Sequence, residues 1–262
     1  MKHMVIPDTQ VKPGIKLDYL RWIGQYAVEK KPDVIVQIGD FADMPSLSSY
    51  DTGKKSFEGR TYKADINAAR RGMEMLMQPI LEEQDRMRKL KKKVWRPRLV
   101  LTLGNHEDRI TRAVEYDRKL EGLVQIEDLE YEKYGWEVHP FLDVVCINGI
   151  AYSHYFASGV MGRPITSAQA LLTKKHMSCF AGHQQGRMIA YGRRADGKEM
   201  TAIISGSCYL HDEDYLSYQT NVHWRGIYML HNVIDGSFDE MAVSLDYLKG
   251  KYKKSQKSLD KS

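Results

Sequence analysis

A strand–helix–strand unit at the start of the chain limits the folds that this sequence can adopt. Residues 3–7 and 34–38 are short apolar runs, and residues 16–30 between them repeat apolar positions at helical spacing. Pro32 ends that helix before the second run begins. A crossover of this kind places its two strands parallel in one sheet. A parallel sheet covered by helices is therefore expected.

Later apolar runs predict a second sheet. Two X-Gly pairs, at 148–149 and 235–236, favour tight hairpin turns between such runs. We expect one domain over residues 1–248, with two sheets covered by helices, and a flexible basic tail over 249–262. The sequence also predicts helices at 62–93, 109–120 and 166–175 and strands at 99–103, 136–139, 144–147, 150–153, 178–181, 185–194, 201–205, 226–234 and 238–244.

The composition permits a large core and a mildly basic surface. The chain has 262 residues, of which 42% are hydrophobic. Its formal net charge of +5 is compatible with a polyanionic partner but does not require one. The positive charge is concentrated in residues 86–98 and 249–262. Each run alone is more typical of a solvated helix face or a tail than of a nucleic-acid-binding surface.

The cysteines and the hydropathy pattern favour a cytoplasmic protein. Cys146, Cys179 and Cys208 include no Cys-x-x-Cys pair, and the first two lie in apolar runs where buried free thiols are expected. Unpaired thiols suit a reducing compartment. No apolar run approaches the ~20 residues of a membrane span, and the N-terminus has no signal-peptide pattern. We expect no membrane partner.

Residue types that bind metals follow several of the apolar runs. The segments 7–10, 39–43, 104–107 and 182–185 carry them, and three of the four directly follow a predicted strand. Carboxyl ends of neighbouring parallel strands meet at one edge of a sheet, so these side chains should converge into a divalent-metal site. The donors are the carboxylates of Asp8 and Asp40, the amide oxygen of Asn105 and the imidazoles of His154 and His183.

The order of these segments resembles the calcineurin-like metallophosphoesterase superfamily. Its motifs run Asp-x-His, Gly-Asp-x-x-Asp, Gly-Asn-His-(Asp/Glu), a lone His and Gly-His-x-His. The second and third match Gly39-Asp40-Phe41-Ala42-Asp43 and Gly104-Asn105-His106-Glu107, and the resemblance spans Asp8 to Gln185. The layout is similar to that of phage-encoded, exonuclease-like members, for which the location would be the host cytoplasm. The resemblance implies a four-layer α/β/β/α sandwich of two mixed sheets flanked by helices.

The resemblance also implies which residues hold metal. Asp40 would bridge two ions, which makes it catalytic, and Asp8 would hold the first ion. Asn105, His154 and His183 would hold the second. Two ions roughly 3.5–4 Å apart can bind a phosphate and stabilise the charge that develops during in-line attack. His154 matches a single-residue motif, so a strand-end histidine with a structural hydrogen bond is the alternative.

Other residues would act on the substrate or support the ligands. His106 would lie beside the scissile phosphate, as a general acid or as a hydrogen-bond donor to the phosphoryl oxygens. Asn105 and Arg109 would bind the phosphate, although Arg109 could equally be a surface residue at a helix start. Asp43 would hydrogen-bond a ligand or cap the next segment, and Glu107 would act similarly.

Two glutamines depart from the family pattern. Gln10 and Gln185 stand where the family has histidines, and both would belong to the first metal site. Their carbonyl oxygens, together with Asp8 and Asp40, would form an oxygen-rich site that favours Mn²⁺, or Mg²⁺ or another transition metal, over Zn²⁺. A weak or empty first site, with a single tightly held ion, is the alternative.

The leading hypothesis is a metal-dependent phosphoesterase that hydrolyses phosphodiesters of DNA, RNA or nucleotides by attack of metal-activated water. A loop at 44–60 and the basic run near Lys91 could line a groove for nucleic acid. The alternatives are a phosphomonoesterase acting on phosphoprotein or nucleotide, and a non-catalytic binding module on a decayed metallophosphoesterase fold. Aromatic residues that could either stack on bases or pack in a core are Tyr209, Tyr215, Tyr218 and Trp224.

Overall fold

A computed structural model describes residues 1–49, 53, 57–212 and 223–259, the last six of them as backbone only. The part of the predicted 44–60 loop at 50–52 and 54–56 lies outside the described residues, as do Tyr215 and Tyr218. The helices are α1 (Asp18–Lys30), α2 (Tyr62–Lys89), α3 (Asp108–Tyr116), α4 (Ala168–Lys175) and α5 (Leu245–Leu259), and short 3-10 turns cover Pro45–Leu47, Arg118–Leu120, Ile126–Leu129 and Tyr131–Tyr134.

The first sheet is built on the predicted strand–helix–strand unit. Its strands are β1 (His3–Ile6), β2 (Val34–Gln37), β3 (Arg98–Thr102), β4 (Glu137–His139), β12 (Gly226–Ile234) and β13 (Ser237–Ser244). Their order is β13-β12-β1-β2-β3-β4. Strands β1 to β4 are parallel, whereas β12 and β13 are antiparallel to their neighbours. The sheet is therefore mixed, with a parallel half that carries the segments after β1, β2 and β3 to one edge.

The second sheet has five strands in the order β10-β11-β9-β6-β5. They are β5 (Val145–Ile147), β6 (Ile150–Ser153), β9 (Ser178–Ala181), β10 (Arg187–Arg193) and β11 (Glu199–Ser205), and a separate two-stranded ribbon pairs β7 (Ala157–Ser158) with β8 (Arg163–Pro164). Strands β6, β9 and β11 are parallel, and hairpins add β5 and β10 antiparallel. The Asn148-Gly149 turn joins β5 to β6, as predicted.

The chain packs into four layers, and a hydrophobic core fills each of the three spaces between them. Along β1, Met4 and Ile6 pack in the core that includes α1, α2 and α5, whereas Val5 packs in the core between the two sheets. This alternation follows from the two-residue period of a strand buried on both faces. A third core joins Cys179 of β9 to Leu171 of α4. The layers are helix, sheet, sheet and helix, which confirms the expected four-layer α/β/β/α sandwich.

Helices α1 and α2 cross closely at a glycine. A Cβ atom on Gly24 would lie 2.3 Å from the carbonyl oxygen of Leu76, so only glycine permits this approach. Pro79 lies inside α2, which continues through it without division. Helix α2 ends at Lys89 rather than near residue 93, and residues 90–97 lead to β3 as irregular chain.

The segment from residue 249 that was expected to form a flexible tail is helical through Leu259. Leu248 is fully buried. Glu29 of α1 accepts hydrogen bonds from Lys251 Nζ at 2.6 Å and from the Tyr252 hydroxyl at 2.8 Å. The lysine-rich composition of this segment suggested a tail. Composition alone does not reveal that Glu29, more than two hundred residues away in the chain, is a partner.

Two further observations concern the cysteines and the hydropathy of the helices. Cys179 is buried, as expected, but Cys146 is exposed, because it faces away from the intersheet core on the short strand β5. None of the helices in the described part of the chain is long and apolar enough to cross a membrane.

Candidate metal centre

The carboxyl ends of strands from both sheets meet at one edge and bring the expected donors together. Asp40 follows β2, and Asn105 follows β3. His154 and His183 follow β6 and β9, which are parallel neighbours in the second sheet. The amide N–H of Gly182 donates to the carbonyl of His154 at 2.9 Å and fixes the two histidine segments side by side.

Four donor atoms form a compact cluster. His154 Nε2 lies 2.9 Å from Asn105 Oδ1 and 3.3 Å from Asp40 Oδ2, and His183 Nδ1 lies 2.8 Å from the same amide oxygen. Ligands held ~2.1 Å from one ion are roughly 3 Å apart when adjacent. The separations and the mixed nitrogen and oxygen donors therefore fit a single divalent ion, although Nε2 and Nδ1 can also hydrogen-bond directly to the amide oxygen.

The orientation of His154 is fixed by the backbone. Its Nδ1–H donates to the carbonyl oxygen of Ile38 at 2.8 Å, and the side chain is fully buried. With the proton on Nδ1, the lone pair of Nε2 is directed at the cluster. The sequence could not reveal the Ile38 carbonyl, because a main-chain oxygen carries no residue signature.

The electrostatics of the cluster centre on one carboxylate. Burial raises the pKa of Asp40, but the charges of His106 and His154 outweigh burial and hold it well below the usual range. Burial lowers the pKa of His154, yet Asp40 raises it to about 10. Burial and the charge of His154 lower the pKa of His183 to about 4, so this imidazole is neutral at pH 7. Burial raises the pKa of Asp8. Ligands must be deprotonated, so a cation that binds here competes with the proton on His154.

His106 lies against the same carboxylate and is fixed from its other side. Its Nδ1 contacts Asp43 Oδ1 at 2.7 Å, and its Nε2 lies 3.7 Å from Asp40 Oδ2. Burial lowers the pKa of His106, but the two carboxylates raise it above the usual value. The ring is nearly buried, so Nε2 is held in place beside Asp40.

Arg109 supports the loop after β2. Its Nη1 donates to the carbonyl of Asp43 at 2.7 Å and to that of Met44 at 3.3 Å, and its Nη2 lies 3.3 Å from His106 Nε2. Lys12 adds an ion pair to Asp43 at 3.4 Å. Nη1 is therefore engaged by main-chain carbonyls, and a phosphate-binding role for Arg109 stays a prediction.

Glu107 ties two of the site loops together. Its Oε2 accepts hydrogen bonds from the amides of Asp40 and Gly104, both at 2.9 Å, and its Oε1 accepts one from the amide of Ala42 at 2.8 Å. The Tyr131 hydroxyl adds a longer contact of 3.4 Å to Oε1. Glu107 thus fixes the backbone that carries Asp40 and does not itself reach the donor cluster.

Replacing Glu107 by Gln should destabilise the fold by about 2 kcal/mol, because the NH₂ group of the new side chain would face at least one buried backbone N–H donor. Urea unfolding measures the change. Glu127→Gln, at an exposed position on a nearby 3-10 turn, is the matched control and should be neutral. If Glu107→Gln and the unmodified chain unfolded at the same urea concentration, the hydrogen bonds of Glu107 would not be what holds the two loops together.

The residues expected at a first metal position flank the cluster. Asp8 is fully buried and accepts the amide N–H of His183 at 3.0 Å. Gln10 is buried, and its backbone N–H donates to the carbonyl of Asp40 at 2.9 Å. Gln185 Oε1 already accepts the Tyr209 hydroxyl at 2.7 Å. Among the described Asp, Glu, His and Cys side chains, those whose donor atoms converge as a group of three are Asp40, His154 and His183. A first ion held by both glutamines stays a prediction.

Four residues at this edge have a left-handed backbone conformation. Gln10, Asp40, Met44 and His183 have φ values of 42°, 49°, 50° and 66°. Residues other than glycine rarely adopt this region, and such conformations persist where the surrounding structure enforces them. The strained residues lie on the three segments that carry Asp8, Asp40 and His183. Each of the three segments therefore contains a left-handed residue, which sequence patterns do not predict.

For the aromatic residues near the centre, the described structure favours internal packing over base stacking. Tyr209 is fully buried, and its ring stacks on His211 at 4.6 Å, so it packs internally and does not offer a face to a base. Trp224 is covered by the guanidinium of Arg187 at 4.7 Å. Tyr155 was not among the predicted residues, and its ring lies 4.9 Å from that of His183. Its position directly after His154 was the available signal.

Comparisons with known proteins add no assignment. No family model matches the chain, and no curated protein matches it. A solved structure that matches it is 12% identical, covers 93% of this chain and 99% of its own, and has a TM-score of 0.37. A similarity this low carries no argument about function.

Proposed function

We propose that this chain is a divalent-metal-dependent phosphoesterase that hydrolyses phosphodiesters, with nucleic acid or nucleotides as substrates. The observation that carries the proposal is the cluster of Asp40, Asn105, His154 and His183 donors, with separations of 2.8–3.3 Å, beside His106. The motif order that resembles the calcineurin-like metallophosphoesterases supports the same reaction class. The unpaired cysteines are in keeping with a cytoplasmic location, which would be the host cytoplasm for a phage-encoded protein.

The donor set bears on the cofactor. Two imidazole nitrogens and two oxygens suit Mn²⁺ and other transition metals. The oxygen donors of Asp8, Gln10 and Gln185 would suit Mn²⁺ or Mg²⁺ in the first metal site. Bound divalent ions supply charge neutralisation at the phosphoryl oxygens and a water of lowered pKa. We propose Mn²⁺ as the cofactor, with two ions that Asp40 would help to hold.

The protein groups would then orient the substrate and move a proton. His106 would donate from Nε2, either to the leaving oxygen or to a phosphoryl oxygen, while Asp43 holds Nδ1 and fixes the ring. The raised pKa of His106 keeps the proton available at neutral pH. Asn105 would offer its amide N–H groups to the phosphate while its oxygen faces the two histidines.

Parallel assays test the proposal. After chelation and dialysis, the protein is assayed with Mn²⁺, Mg²⁺ or Zn²⁺ on nitrophenyl phosphate, bis-nitrophenyl phosphate, and single- and double-stranded DNA. Mn²⁺-dependent turnover of the diester and of DNA is expected, at least ~10-fold above the monoester. His106→Ala should reduce DNA cleavage more than cleavage of the nitrophenyl diester, whose good leaving group needs no proton.

The alternatives give different results in the same assays. Turnover confined to the monoester would identify a phosphomonoesterase. Turnover of none of the substrates with any of the metals would favour a non-catalytic binding module, for which the glutamines at 10 and 185 are the motivating observation.

A further inference from the structure

A run of exposed cations covers the last residue of α2 and the segment after it, and their side chains have no partners among the described residues. The side chains form no hydrogen bond or ion pair with any described residue, and all are exposed. We call this group the basic strip; it consists of Lys89, Lys91, Lys92, Lys93 and Arg96. Because unpaired cations carry a full charge to the surface, the basic strip attracts polyanions.

The basic strip lies at the opposite edge of the first sheet from the candidate metal centre. It directly precedes β3, which begins at Arg98, whereas the Asn105 segment follows the end of β3 at Thr102. Strand β3 alone advances roughly 13 Å from Arg98 to Thr102 at about 3.3 Å per residue. Strand β3 therefore separates the run near Lys91 from the candidate metal centre.

The segment is held in a fixed conformation. Trp95 Nε1–H donates to the carbonyl of Pro32 at 2.9 Å, and the amide of Lys92 donates to the carbonyl of Met87 at 3.0 Å. Lys91 adopts a left-handed conformation with φ of 53° at the end of α2. An anchored segment loses less conformational entropy when it binds a ligand than a free tail does.

Two acidic residues near the end of α2 are already paired with other cations. Glu83 binds Lys31 and Arg86, and Asp85 binds Arg88. These pairs leave the charge of the basic strip uncompensated. One exposed apolar side chain, Leu90 at 52% exposure, lies among the cations. Membrane-surface segments carry a continuous apolar face that would insert into lipid, so the composition favours a nucleic-acid backbone over a bilayer.

We propose that the basic strip is a second nucleic-acid-binding surface, which contacts the phosphate backbone independently of the metal centre. It would retain long nucleic acids on the protein while contributing nothing to substrates too short to reach it. The inference does not depend on hydrolysis, because binding at the strip is measured without turnover.

Binding of a labelled 30-base-pair DNA duplex, measured by fluorescence anisotropy against salt, tests the proposal. The variant carries Lys91→Glu, Lys92→Glu and Lys93→Glu. Its Kd should rise at least ~10-fold at about 50 mM salt, and the slope of log affinity against log salt should shrink by about three, since each lost phosphate contact contributes about 0.9. Turnover of bis-nitrophenyl phosphate, a substrate too short to reach the strip, should be the same in the strip variant as in the unmodified chain.

A matched control separates a local surface from overall charge. Lys16→Glu, Lys63→Glu and Lys119→Glu reverse three other exposed lysines, so both triple variants change the formal net charge from +5 to −1. An equal loss of affinity in the control, or unchanged binding in the strip variant, would overturn the proposal. Strip-dependent binding to phosphatidylserine vesicles without binding to DNA would also overturn it and would identify a membrane surface. These results are independent of whether the metal centre hydrolyses anything.

Discussion

Asp40→Asn is expected to lower Mn²⁺-dependent phosphodiester turnover at least ~100-fold and to weaken Mn²⁺ binding. The Asp40 carboxylate is the charge that faces His106 Nε2 at 3.7 Å and His154 Nε2 at 3.3 Å. Asparagine removes that charge and leaves a neutral oxygen as a weaker ligand. Changes to residues that only support metal ligands typically cost 10–100-fold, so loss of a ligand charge should cost at least as much.

The substitution is chosen because it preserves the local structure. Asp40 has φ of 49°, and asparagine adopts this region more readily than most residues. Its Oδ1 accepts the amide N–H of His106 at 2.9 Å, and an asparagine oxygen can do the same. The variant should therefore fold, and its loss should appear in metal binding and turnover.

Metal content by mass spectrometry and turnover of bis-nitrophenyl phosphate are measured together, with circular dichroism to confirm folding. Asp196→Asn, at an exposed position paired with Arg194, is the matched control and should resemble the unmodified chain. If Asp40→Asn retained both Mn²⁺ and turnover, the candidate centre would not be the site of chemistry.

The fold was predictable where a local pattern and the sheet topology point the same way. The apolar run at 34–38 and the helix before it predict a parallel strand, and β2 is that strand. Prediction was poorer where a distant partner decides the structure. Helix α5 is held against α1 through Glu29, and no property of the lysine-rich segment itself reveals that contact.

The candidate site was predictable to a similar extent. Side chains at strand ends converge because parallel strands share an edge, which explains why Asp40, Asn105 and the two histidines meet. The bracing by Glu107 and the carbonyl of Ile38 depends on backbone positions that motifs do not record. The position of the basic strip relative to the site was not predicted from composition and became clear from the structure, in which β3 separates the two.

Gly104→Ala should destabilise the protein by about 3 kcal/mol or more and abolish metal binding. A Cβ atom at this position would lie 2.1 Å from Asp40 Oδ1 and 2.2 Å from the Asp40 amide nitrogen. Real Cβ atoms do not approach other heavy atoms so closely, so one of the two loops must move. Glu107 opposes that movement, because its Oε2 binds the amides of both Asp40 and Gly104 at 2.9 Å.

Urea unfolding and Mn²⁺ titration of the folded fraction measure the two effects. Gly250→Ala provides the matched control, since that glycine lies within α5 and an added Cβ would meet no atom within 4 Å. The control should be neutral or slightly stabilising, because alanine favours the helix. If Gly104→Ala unfolded at the same urea concentration as the control and still bound Mn²⁺, the loops after β2 and β3 would be free to separate. The close approach of Asp40 to this glycine would then not be what positions the carboxylate.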